Sequence, residues 1–522
     1  MSDRTALNRP RSGAGITVSE ISPMDRAIAV MRNTTPAFIG RALRGPLNTP
    51  VLIESFTAFT RRFGGAWHRS TLGPAVDQFF AHGGQRLYVV RAANDARGAV
   101  LRLPAGSANN TLGLRALEPG SSERLRAAVD YDGIVDDRHF NLVVQRLSPE
   151  SHVVIDQEIH ARVSCDHRSP TWIGEALQGS SLVELIEPLP PVRPDATMGR
   201  YADATRGYVL PAERGTDGRD LCDYDLIGSA ADNTGLFALD AIDDLDLVYL
   251  PPPALDRDPG PAAILAAELY CRKRGAMLIM DPPASWSGAA AAAAALRHSG
   301  LTSANVLSYF PRLRRREDAA VEPAGGAIAG LLCKLDRADG PWGNLATRRY
   351  AFGWRLSPAV TVNDDERALL ERAGLNAIAV GDDGRHCLYG GVTLGRGSQA
   401  DPQFARLHLR RLCLAMGKAI ESATRWAVFE QDRTAAATRV QAQVHEYMTA
   451  LATAGAFDPD RISVQCDAER NARGPKGERA LCLLLAFHPH GCDEQVSLTL
   501  YQTASGCRMA STAFAPVNEA CA

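Results

Sequence analysis

Apolar and polar positions alternate with a period of two over Ile16-Thr17-Val18-Ser19-Glu20-Ile21, behind a polar leader that ends in Gly13 and Gly15. This spacing predicts a strand on an arm. From Pro36 to Arg91 the pattern changes every few residues. PAFIG reads as strand, RGPLNTP as turn and VLIESF as strand; then come a short helix stopped by Gly64-Gly65, a helix over GPAVDQFFAHGG and a strand over QRLYVVRA. Between about 100 and 200, Gly, Pro, Ser and Asn punctuate short strands such as Phe140-Asn141-Leu142-Val143-Val144 and His152-Val153-Val154-Ile155. A β-rich insertion is expected there. The α/β texture returns with LDLVYL, a helix over PAAILAAELYCRKR, the strand AMLIMDPP, an Ala-rich helix from Ala289 and the strand SANVLSYFP. Such a series predicts a parallel sheet with right-handed crossovers. The last third predicts a helix from about Pro402 to Ala423, a strand over TRWAVFE, and a helix with Val440, Val444, Tyr447, Met448 and Leu451 on one face. It closes on strands ALCLLLAF and QVSLTLYQ.

The expected fold is multidomain α/β and α+β: a mixed, largely parallel-sheet core with a β-rich inserted domain and strand-forming N- and C-terminal arms. Its parts are an arm over 1–22, a first part of the core over 23–100, the insertion over 101–200, a second part of the core over 201–400, and a C-terminal domain over 401–522 whose own arm begins at about 495. Strands at chain ends can pair with a neighbouring molecule's sheet edge. The candidate arm residues are Ile16, Val18 and Ile21, and Val496, Leu498 and Leu500.

A chain of 522 residues is too long for one core. Its 45% apolar and 22% charged residues are those of a globular protein. A formal net charge of −2 gives no reason to bind nucleic acid. No window approaches the length of a membrane span, and the leader lacks a signal-peptide core, so the expectation is synthesis in the cytoplasm without membrane insertion. Eleven cysteines without a C-x-x-C pair fit reduced thiols.

Chemical motifs are fragmentary. Gly395-Arg396-Gly397 follows a strand and precedes a helix, but Ala400 stands at the third glycine position of a dinucleotide fingerprint and Glu421 lies within a helix. It reads as a strand-to-helix turn. Pro251-Pro252-Pro253 follows a core strand where a phosphate would need backbone N–H groups. His445-Glu446 lacks the second zinc-protease histidine, because Thr449 stands there. His488 and His490, with Cys492 and Asp493, read as a solvated loop, as do Asp240, Asp243, Asp244 and Asp246. Asp281 sits where α/β enzymes place catalytic acids, and on its own reads as an end-of-strand cap. Arg312 to Arg316 reads as a charged surface. No nucleophile elbow or phosphate loop occurs, so no catalytic, cofactor or metal site is expected.

The segment AFIGRALRGPLNTPVLIESFTAFTRRFGG, followed by LGPAVDQFFAHGGQRLYVVR, resembles the N-terminal signature of contractile phage tail sheath proteins. FNLVVQR, GTDGRDLCDYDLIG, ALDAIDDLDLVYLPPP, MLIMDPP and RRLCLAMGKAIESATRWAVFEQD follow in the family's order, so that the resemblance extends from Ala37 to Gln431. It implies a structural subunit that polymerises into a helical tube around an inner tube protein and contracts when a baseplate triggers it. Implied partners are further copies of the chain, the tube protein, baseplate and tail-terminator or cap proteins, and a second sheath paralogue. Implied location is the bacterial cytoplasm during assembly, then a phage tail, tailocin or injection particle. The resemblance also implies arm exchange between neighbours, an outward-projecting insertion, and an inner wall on which Arg406, Arg410, Arg411 and Lys418 face the tube. The arms depart from the family: the first reads GITVSEIS, and FHPHGCDEQVSLTL replaces a proline-and-lysine stretch. The competing readings are an α/β enzyme with dispersed active-site residues and a soluble binding module.

Overall fold

The computed structural model describes residues 27–30, 33–198, 207–345, 350–353, 355–381, 384–397, 402–466, 480–490, 495–503 and 506–511. Ile16, Val18 and Ile21 lie outside the described residues. The chain divides into two compact units, one of residues 32–415 and one of 416–522 together with 1–31.

The larger unit opens with β1 (Pro36–Gly40), β2 (Val51–Ile53), α1 (Phe56–Phe63), α2 (Leu72–Ala81) and β3 (Leu87–Arg91). Ser55 starts α1 by accepting the Ala58 amide at 3.1 Å, and Gly64, at φ +93°, ends it in the left-handed region that suits glycine. All of β1 is buried. Phe38 joins one hydrophobic cluster while Ala37 and Ile39 join another on the opposite face, as the two-residue period of a strand requires.

The β-rich segment follows. It holds β4 (Val100–Ala105), β5 (Ser107–Ala116), β6 (Leu125–Asp130), β7 (His139–Leu147), β8 (Val154–Ser164), α3 (Ile173–Ala176) and β9 (Val183–Ile186). Two three-stranded sheets, ordered β4-β5-β9 and β6-β7-β8, enclose their own cluster, centred on Leu101, Leu112, Phe140, Leu142 and Leu182. Residues beyond 200 still belong to this region, since Val209 bridges Ala127, and Glu213 bridges Val100.

The core resumes with α4 (Asp223–Ile227), β10 (Leu247–Tyr249), α5 (Pro261–Arg274), β11 (Met277–Ile279), α6 (Ala289–Ser299) and β12 (Val306–Leu307). These strands extend the first sheet to the order β12-β11-β10-β1-β3-β2, with every neighbouring pair parallel except β2 and β3. The predicted strand SANVLSYFP splits, so that β13 (Tyr309–Phe310) pairs elsewhere. Then come β14 (Leu313–Arg315), β15 (Val321–Glu322), α7 (Gly325–Asp339), β16 (Leu356–Pro358), α8 (Asp364–Ala373), β17 (Asn376–Val380) and β18 (His386–Tyr389). They form small sheets ordered β15-β14-β16 and β13-β17-β18.

The unit boundary falls within α9 (Leu407–Thr424). Beyond it lie α10 (Arg433–Thr453), β19 (Phe457–Cys466), β20 (Ala480–Pro489), β21 (Val496–Thr503) and β22 (Gly506–Ser511). The predicted face of α10 is buried as expected. TRWAVFE is not a strand: Arg425–Val428 continue α9 as a tight 3₁₀ turn.

The strands β19 to β22 build an antiparallel sheet ordered β19-β20-β21-β22. Val496, Leu498 and Leu500 therefore do not form a free arm. Leu498 and Leu500 pair with Leu485 and Leu483 on one side and with Ser511 and Met509 on the other. All three side chains are buried; at every second position they share one face of the sheet, while the polar Ser497 and Thr499 take the other. Among the described residues the sheet ends at β19 and β22, which are its open edges.

Candidate functional site

In an open parallel sheet, ligands bind beyond the strands' carboxyl ends where chain order reverses. Here the reversal lies between β1 and β10, and the protein fills the position itself. Arg41, next after β1, is only 3% exposed. Its guanidinium donates to Asp220 at 3.0 Å and to the Asp217 and Gly218 carbonyls at 3.0 and 3.1 Å, and lies 4.8 Å from the Trp67 ring. Ser70 donates to the Arg41 carbonyl, and Thr71 to that of Pro252. Pro251, Pro252 and Pro253 are buried after β10 and offer no N–H group.

Asp281, the acid best placed for catalysis, has structural duties. It follows the end of β11, and its Oδ1 accepts the Ala324 and Gly325 amides at 3.0 and 2.9 Å, capping α7, while Tyr249 donates its hydroxyl to Oδ2. Burial pushes this carboxyl up, opposed by the Tyr249 bond and the Arg312 charge. A carboxylate at a helix N-terminus satisfies donors that would otherwise be orphaned.

A second polar cluster joins the core to the β-rich segment. Arg91 is 1% exposed and donates to the Ala42 and Gly45 carbonyls at 3.0 and 2.6 Å; burial pulls it down to about 10 despite Glu118, Asp217 and Glu123 nearby. Glu118 pairs with Arg62 at 2.6 Å, and Glu123 with Arg146 at 2.7 Å. Asp217 accepts from the amide and hydroxyl of Ser121, both at 2.7 Å. Gly218, at φ +71°, lies where a Cβ would sit 2.1 Å from the Asn94 carbonyl oxygen. The GTDGRD segment thus fastens the β-rich segment to the core.

The candidate basic residues separate. Arg406 is exposed, and Arg410 and Lys418 are half-buried. Arg410 donates to Asn305 at 2.7 Å. Arg411 faces inward and cannot meet a tube: it is 7% exposed and ion-paired with the fully buried Asp336. Its place in the stripe Leu407, Arg411, Leu414, whose leucines join the core, carries that signal in the sequence.

Other expectations are revised. Arg312 is not surface charge but a buried partner of Asp258 that also donates to the Pro282 carbonyl at 2.8 Å. His488 lies in β20, not a loop, while Cys492 and Asp493 fall outside the described residues. Asp243 and Asp244 are exposed as expected, whereas Asp246 accepts the Thr35 amide at 2.9 Å and Asp240 accepts from Tyr270 at 2.7 Å. Among the described residues no His, Cys, Asp and Glu cluster has metal-binding geometry, and no helix is long and apolar enough to cross a membrane.

No family model and no curated protein matches the sequence. Solved structures match the fold. A sheath tail protein from Listeria innocua is 11% identical, with 92% of this chain and 98% of that one covered and a TM-score of 0.60. A sheath tail protein from Desulfitobacterium hafniense is 13% identical, with 94% and 100% covered and a TM-score of 0.54. The helical sheath of the anti-feeding prophage in its contracted state is 14% identical, with 93% and 98% covered and a TM-score of 0.52. The chain shares this fold over nearly its whole length.

Proposed function

We propose that the chain is a structural subunit of a contractile tail sheath, polymerising into a helical tube around an inner tube and contracting to drive it through a target envelope. The observation that carries this reading is a fold shared along nearly the full length of both chains with a helical sheath in its contracted state. The filled crevice between β1 and β10, and the structural duty of Asp281, weigh against the α/β enzyme reading. The subunit's partners are then other copies of itself, an inner tube protein, baseplate and cap proteins, and in a specialised particle a second sheath protein. It assembles in the bacterial cytoplasm and ends in a phage tail or injection particle. The work comes from rearranged interfaces, a small gain per subunit repeated along the helix, and needs no cofactor.

Head-to-tail contacts that do not close on themselves generate such a filament. Ile16, Val18 and Ile21 form the arm, which adds to an open edge, β19 or β22, of a neighbouring copy's C-terminal sheet. The β-rich segment projects outward, and Arg406, Arg410 and Lys418 face the tube. Deleting residues 1–22 tests the arm: the variant should keep wild-type circular dichroism and remain in the supernatant under conditions that pellet the full chain. Equal pelleting of both would reject the arm.

A further inference from the structure

The chain passes between its two compact units twice, at 31–32 and at 415–416. Within the larger unit, Thr34 lies just after the first passage and Arg411 about one helical turn before the second. One carboxylate oxygen holds both. Asp336, near the end of α7 and fully buried, accepts at Oδ2 from the Thr34 hydroxyl and from the Arg411 guanidinium. Arg411 also reaches the Thr34 hydroxyl oxygen, at 3.3 Å. The next residue is held independently: the Thr35 amide donates to Asp246 at 2.9 Å, and the Thr35 carbonyl accepts the Asp246 amide at 3.0 Å. Buried ion pairs add little net stability, because desolvation offsets the attraction, and their best-attested use is to fix one arrangement over others. Loss of Arg411 would leave Thr34 against a buried, unneutralised carboxylate, and loss of Thr34 would leave the Arg411–Asp336 pair short of one charge-assisted hydrogen bond, so each passage is more weakly held once the other has left.

We propose that Asp336 is a clip that fastens both chain passages to α7, so that displacing one loosens the other. A subunit that keeps its neighbours linked while its lattice shortens needs such a fixed point, yet the inference concerns the single chain and does not depend on polymerisation.

Hydrogen exchange on the full-length monomer tests it. Thr34→Val removes the hydroxyl and keeps the shape. It should accelerate exchange of amides 410–415 about tenfold, the effect of one lost charge-assisted hydrogen bond, while β1 and residues 328–335 of α7 stay at wild-type rates. Arg411→Met should accelerate amides 34–36 by a similar factor. If Arg411→Met instead opens the whole larger unit, β1 and β3 will exchange faster too, and Thr34→Val then decides alone. Thr34→Val with unchanged exchange at 410–415 overturns the clip, and so does Asp336→Asn with wild-type exchange at both segments.

Discussion

Gly326→Ala sets two physical effects of opposite sign against each other. Replacing a glycine in a helix interior by alanine normally stabilises by about 1 kcal/mol through helix propensity, and by less in the first turn, where Gly326 stands. In α7, however, a Cβ at Gly326 would lie 2.2 Å from the Ala75 carbonyl oxygen and 2.8 Å from its Cα, and one at Gly330 would lie 2.4 Å from the Phe79 carbonyl oxygen. The obstacle is α2 backbone, which cannot swing aside as a side chain tip can. The two helices must part by roughly 1 Å to restore ordinary contact, opening a core that contains Val76, Phe79, Ile328 and Leu332. Overpacking of this kind costs about 1–3 kcal/mol, and backbone contact puts this site at the upper end. The net expectation is a loss of about 1–2 kcal/mol. Gly417→Ala is the control. Among the described residues its Cβ would meet only the Met509 Cε, at 2.8 Å, the far end of a flexible thioether, so the propensity gain should survive. Urea midpoints of dilute monomer, followed by tryptophan fluorescence, should fall for Gly326→Ala and hold or rise for Gly417→Ala. A Gly326→Ala midpoint at or above wild type would refute the close packing of α2 and α7.

Asp281→Ala should cost about 3 kcal/mol, by removing the α7 cap and leaving the buried Tyr249 hydroxyl unpaired; Asp281→Asn should recover part of it, and equal urea midpoints for Asp281→Ala and wild type would exclude the cap. Burial, with Arg406 and Arg411 nearby, pulls His408 down to about 4. As pH falls from 6.5 to 4, the unfolded imidazole takes a proton that the folded one refuses, so this residue lowers stability by up to about 3 kcal/mol across that window. His408→Gln should flatten the urea midpoint against pH there, and parallel wild-type and variant curves would contradict the shift. Leu498→Pro should break the C-terminal sheet itself, read as lost β signal in circular dichroism, because its amide side serves an interior strand. Val18→Pro should keep the monomer folded and reduce pelleting; normal pelleting would count against the arm.

The core was legible wherever local chemistry and tertiary demand agreed. PAFIG and LYVVR are unbroken apolar runs because parallel interior strands are buried on both faces, and Ser55 with Gly64 marks both ends of α1. The alternation of strands and helices from LDLVYL to SANVLSYFP gave the parallel order of β10, β11 and β12. What escaped lacks contrast between faces or depends on distant partners. α7 begins Gly-Gly and is buried nearly all round, so it shows neither a strong N-terminal signal nor an amphipathic stripe. For α8 the signal exists, since Asn363 and Glu366 form a capping box and Gly374 closes the helix, but charged residues hid its single buried Leu370. QVSLTLYQ was correctly a strand. Its place inside the sheet depends on β22, whose sequence GCRMAS carries no strand alternation. The inward turn of Arg411 depends on Asp336, far away in sequence, and only the flanking Leu407 and Leu414 reveal it.

Electron microscopy of the purified chain, alone and co-expressed with its genomic neighbours, tests the central claim most directly. A sheath subunit predicts hollow striated tubes with a helical repeat, sampled in wide, short and narrow, long forms. Compact monomers under both conditions, with no tube at any protein concentration tried, would contradict it.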